Sequence, residues 1–102
     1  MDMYFDRNGA PISIDKWAAT LESDRRIAEI TLPDGKWVST VWIGLNHRFG
    51  VGPPLIFETM VFPSSDDFGE LDMERYATES EAIEGHNQMV DKWSRKVGQD
   101  EE

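Results

Sequence analysis

Pro33-Asp34-Gly35-Lys36-Trp37-Val38-Ser39-Thr40-Val41-Trp42-Ile43-Gly44-Leu45 is the stretch that decides the fold of this chain. Its first three residues are turn chemistry: proline presets φ, aspartate tolerates the turn, and glycine supplies positive φ. Residues 36–45 are rich in β-branched and aromatic side chains and read as a strand. Ile27 to Leu32 has the same character before the turn, so 27–32 and 36–45 form an antiparallel hairpin. Trp37 and Trp42 fall on opposite faces of their strand, which puts one of them on a surface or under a loop. Leu55 to Phe62 supplies a third strand, and residues 72–77 a weaker fourth.

Two helices flank these strands. Ile14, Trp17, Ala18 and Leu21 recur at helical spacing, predicting a helix over 14–22, with Ser13 as N-cap and Asp15 at the positive end. Before it, Asn8-Gly9 marks a tight turn. Thr78-Glu79-Ser80-Glu81 is a capping box opening a second helix over 79–96, in which Ala82, His86, Met89, Val90, Trp93 and Val97 line one stripe and Gly98 marks the end. The order predicts a single small α+β domain over 1–97, followed by an acidic frayed tail at 98–102. Its antiparallel sheet of three to four strands carries the N-terminal and the C-terminal helix on one face.

Composition narrows the function classes. The 102 residues include four Trp and five Phe, enough aromatic mass for one compact core. There is no cysteine, which excludes disulfides and thiolate chemistry and fits a reducing cytoplasm. The N-terminus has no basic, then apolar, leader pattern, and the longest apolar run, Pro53 to Phe62, is interrupted by Glu58 and too short to span a bilayer. A cytoplasmic protein without a membrane partner is expected. The net charge is −10, and between Phe49 and Asp91 the only basic residue is Arg75. Such a field repels nucleic-acid phosphates and draws in basic partners, or it serves solubility alone.

Chemistry, if any, concentrates in two places. The connection Asn46-His47-Arg48-Phe49-Gly50-Val51-Gly52-Pro53-Pro54 is longer than a hairpin requires, and its glycines and prolines imply a specified path. It is either a binding loop or a structural Ω-loop. Glu58 interrupts an apolar strand and shares a face with Ile56, Met60 and Phe62, so it is salt-bridged, exposed at a solvent edge, or part of a site with residues of the 46–52 loop. Asn46, His47, Arg48, Phe49 and Glu58 are therefore the candidate binding residues, and Asp66, Asp67, Glu70 and Asp72 a candidate acidic interaction surface. His86, on the apolar stripe of the second helix, reads as a satisfied residue at the core edge. No zinc spacing, EF-hand loop, phosphate loop or nucleophile elbow is present, so no metal, cofactor or catalytic residue is assigned.

Four segments also carry a resemblance. Tyr4 to Ser13, Val38 to His47, Gly52 to Phe62, and Arg75 to Glu79 with Gly85-His86 resemble a family of small uncharacterised phage and prophage proteins of actinobacteria. The resemblance spans residues 4–93 and implies an accessory protein working in the host cytoplasm, with no catalytic residues to carry over. Three functions remain in view. The leading one is a non-enzymatic interaction protein that binds and modulates a host protein, a defence protein among the candidates, with a nucleic-acid-mimicking inhibitor as one form. The second is a small-ligand or nucleotide-sequestering protein with a pocket at Asn46, His47, Arg48 and Glu58. The third is a small enzyme using His47 and Glu58 as acid and base. Self-association is compatible with all three.

Overall fold

In the computed structural model residues 3–48 and 50–99 are described, 95–99 by backbone alone. Helix α1 (Ile14–Ser23) precedes strands β1 (Arg26–Thr31), β2 (Trp37–Trp42), β3 (Phe57–Phe62) and β4 (Asp72–Tyr76), and helix α2 (Glu79–Gln99) closes the order. The strands form one antiparallel sheet in the order β1-β2-β3-β4. Residues 72–76, the weakest of the expected strands, thus form a full edge strand. The turn at Pro33-Asp34-Gly35 joins β1 to β2: Gly35 takes φ of 95°, and Leu32 and Lys36 close the loop by a 2.7 Å backbone hydrogen bond. Both caps form as well. Ser13 Oγ accepts from Lys16 N at 3.2 Å. Thr78 and Glu81 exchange hydrogen bonds of 3.1 Å in the manner of a capping box.

The β2–β3 pairing sorts the side chains into two layers. Val38, Thr40 and Trp42 lie opposite Val61, Thr59 and Phe57, and all six are fully buried. Helix α2 covers this face with Ala82, His86 and Met89. Trp17 and Leu21 of α1 pack on the same core, against the cluster of Trp42, Ile56, Phe57 and Ala82. Trp37, Ser39 and Val41, opposite Phe62, Met60 and Glu58, form the other face.

Strand β2 stops at Trp42, short of the expected Leu45, because the backbone turns at Gly44, where φ is +70°. A Cβ there would lie 2.5 Å from atoms of both Trp17 and Trp42. The two indoles are anchored beside it: Trp17 Nε1 donates to the Ile43 carbonyl at 2.9 Å and Trp42 Nε1 to the Phe5 carbonyl at 3.1 Å. The N-terminal segment is tied in at the same place by Phe5 N donating to Gly44 O at 2.9 Å. Helix α2 continues through Gly98 to Gln99, beyond the expected stop, while Asp100-Glu101-Glu102 lie outside the described residues.

Gly85 lets α2 settle on the sheet. A Cβ at this position would sit 2.2 Å from the Tyr76 ring. Alanine at an ordinary helix-interior glycine gains about 1 kcal/mol. Here Gly85→Ala should instead cost about 1–3 kcal/mol, as overpacking does. Urea unfolding measures it, and a gain in stability would show that the helix lifts off Tyr76 without cost.

Candidate functional site

The face of the sheet turned away from α2 holds a concave cradle of about 240 Å³. Its floor is Ser39, Val41, Glu58 and Met60, and its walls include Trp37 and Phe62. Leu21 and Arg25 reach it from the α1–β1 junction. The aromatic wall is continuous: Trp37 stacks on Phe62 at 5.4 Å, Phe62 meets Phe68 edge-on at 5.8 Å, and the Arg26 guanidinium lies 5.5 Å from the Trp37 ring centroid. Trp37 is further oriented by donating from Nε1 to Glu29 at 3.0 Å. Phe68 is 71% exposed and Leu71 43% exposed, so the apolar strip runs off the sheet onto the β3–β4 loop.

That loop is acidic and ordered. Asp66, Asp67 and Glu70 are exposed around Phe68, with Asp67 Oδ1 accepting from Gly69 N at 3.0 Å. Asp72 does not belong to this surface. It is half-buried, accepting from Lys92 Nζ at 2.7 Å and from Trp93 Nε1 at 3.0 Å, and so clamps α2 to β4. Burial alone would raise its carboxyl, but the hydrogen bonds from Lys92 and Trp93 outweigh that and hold it below the usual carboxylate range.

The candidate residues of the long loop divide. Glu58, only 14% exposed, sits in the cradle and meets Arg75 Nε at 3.4 Å across the β3–β4 pairing. Arg48 lines a different cavity and donates from Nε to the Pro53 carbonyl at 2.6 Å. Asn46 is structural: its Oδ1 accepts from Arg48 N at 2.9 Å and Leu55 N at 3.1 Å, closing the loop on itself. His47 lines neither cavity and holds the loop through its backbone, donating to Leu55 O at 3.2 Å. Phe49 lies outside the described residues. The fold thus leaves Glu58 and Arg48 in separate cavities and does not assemble His47 with Glu58. The sequence reading missed the cradle because Ser39 and Met60 carry no chemical signature. The alternation that placed Trp37 and Trp42 on opposite faces was the clue.

His86 is buried, as its place on the stripe implied. Its Nδ1 lies 2.7 Å from Thr40 Oγ1, which lies 2.6 Å from Thr59 Oγ1. The Tyr76 hydroxyl approaches Thr59 without reaching hydrogen-bond geometry, and burial pushes its pKa up. Among the described residues no group of three or more His, Asp or Glu side chains is placed to hold a metal ion, and no helix is long and apolar enough to cross a membrane.

Burial pushes the His86 imidazole below its ordinary value of 6.5. The unfolded chain therefore takes up this proton first. The contribution to stability is complete above pH 6.5 and is lost as pH falls from there toward the depressed folded value, by up to about 1.4 kcal/mol per pH unit. Urea midpoints should fall between pH 7.5 and 5.5 in the parent and change less in His86→Gln. A second expectation separates the acidic residues: Asp72→Ala should cost about 1–2 kcal/mol through its lost hydrogen bonds, while Glu70→Gln stays within about 0.5 kcal/mol. Equal effects would remove the distinction between clamp and surface.

No protein-family model, curated protein or solved structure matches the chain, so what it does rests on the chemistry of its own surfaces.

Proposed function

We propose that this chain is a non-enzymatic interaction protein that binds a partner protein through the open face of its sheet. The observation that carries this reading is the cradle on the sheet face away from α2, whose Phe62 meets exposed Phe68 on a loop that also exposes Leu71. Large exposed aromatic and aliphatic side chains on an apolar strip are what a docking surface supplies, because their desolvation drives association. At about 240 Å³ the cradle lies below the range of roughly 300–1,000 Å³ typical of small-ligand pockets, and suits an inserted apolar side chain.

Charge sets the partner's character and orientation. Asp66, Asp67 and Glu70 ring the Phe68 end, while Arg25 stands at the end where β2 finishes. A segment with an apolar anchor and basic residues on one flank matches this polarity, and the chain's charge of −10 would steer it in. We further propose a host protein as this partner.

Photo-crosslinking in host cells tests this. A crosslinker at Met60 should capture one partner, and the same group at Ile83, exposed on α2, should not. Capture should weaken with added salt, since screening shortens electrostatic steering to about 8 Å at physiological ionic strength, and should be lost in Phe68→Asp. Capture from Ile83 alone, or capture indifferent to Phe68→Asp, would overturn the assignment of the face.

A further inference from the structure

The length and composition of the 46–54 loop set it apart from a plain connection, and protein docking on the open sheet face leaves it unused. With the end of β4 and the first turns of α2 it borders a second, open cavity of about 430 Å³, within the size range of small-ligand pockets. The loop's construction is directed at one side chain. Asn46 ties its two ends together. Gly52, at φ of +137°, lies beneath Arg48, and a Cβ there would come within 3.0 Å of the Arg48 Cδ, Nε and Cζ atoms. Arg48 Nε is held by the Pro53 carbonyl. The guanidinium is thus fixed by one edge, and among the described residues no carboxylate pairs with it.

The two cations between Val38 and Asp91, Arg48 and Arg75, are separated in sequence, and the fold sets both against this cavity. Arg75 is engaged by Glu58, which leaves Arg48 as the open positive group. Of the α2 residues lining the same cavity, the Glu81 carboxylate is occupied by the backbone N–H groups of Ala77 and Thr78, while Glu84 and Gln88 are exposed.

From this arrangement we propose that the cavity binds a small monocarboxylate that also carries a hydrogen-bond donor, an amino-acid-like zwitterion. The carboxylate meets the fixed guanidinium of Arg48, whose fork matches its two oxygens. The ammonium or another donor meets Glu84 and Gln88. Polyanions are disfavoured, because Glu81, Glu84 and the chain's overall charge oppose a second negative group. This inference is independent of docking at the sheet face.

The test is an NMR titration of the full chain that follows the Arg48 Nε–H and the Gln88 side-chain amide, with glycine, acetate and inorganic phosphate as probes. Glycine should give saturable shifts at both groups, acetate should bind more weakly, and phosphate should not saturate. Arg48→Met should weaken glycine binding about tenfold or more, the loss expected for a charged hydrogen bond. Glu84→Gln should remove the advantage of glycine over acetate. This exposed substitution decides the question even if Arg48→Met fails to fold. Phosphate binding as tightly as glycine, glycine shifts that never saturate, or a glycine preference intact in Glu84→Gln would each overturn the proposal.

Discussion

The register of β2 against β3 is the constraint on which the rest of the structure depends. Val38 pairs with Val61, Thr40 with Thr59 and Trp42 with Phe57, and every one of these residues is buried beneath α2. A slip of one residue would invert the strand that moved, turning Ser39 of β2, or Glu58 and Met60 of β3, into the core and exposing that strand's apolar set, so the pairing is held by the cost of that inversion. Both faces of the sheet follow from it. The intervening residues form the cradle by default, because they are what alternation leaves on the other side.

Helix α2 reads the buried face through both apolar and polar contacts. Met89 packs with Leu32, Val38 and Val61, while His86 reaches Thr40 and through it Thr59. A buried imidazole is tolerated when it stays neutral and hydrogen-bonded, and the threonine pair supplies the partner. The close seat at Gly85 over Tyr76 leaves a hydroxyl buried without a full hydrogen bond. That placement fixes the height of the helix above β4, and the Asp72 clamp to Lys92 and Trp93 fixes it further along.

Charge is divided unequally by this frame. Several acidic side chains of the second half are consumed in structure: Asp72 in the clamp, Glu81 in the cap, Glu58 in the pair with Arg75. Exposed among the described residues are the Asp66, Asp67 and Glu70 group around Phe68, Glu74 on β4, and Glu84 and Asp91 on α2. A net charge of −10 read from composition therefore overstates how much of the acidity faces a partner. The small cradle and the larger cavity beside Arg48 are separate sites, sharing no residue among their linings.

The sequence by itself determined the elements and their polarity. The Pro33-Asp34-Gly35 turn, the Ser13 cap, the Thr78–Glu81 box and the burial of His86 all rest on local chemistry or on periodicity, and local rules read them; alternation put Trp37 and Trp42 on opposite faces, and the fold decided that Trp42 is the buried one. Only the tertiary structure decided which charges meet. Glu58 was open to the long loop or to an ion pair, and cross-strand neighbours settled it on Arg75, 17 residues away in the chain. Arg48 was equally open to Glu58, and the glycine beneath it turned it to the Pro53 carbonyl and the second cavity. The stopping of β2 at Trp42 likewise came from two indoles closing on Gly44, one of them from α1. Periodicity and caps act over a few residues and so are visible in order along the chain. Which long side chain finds which partner depends on strand order and on contacts between distant segments, and those exist only once the sheet has formed.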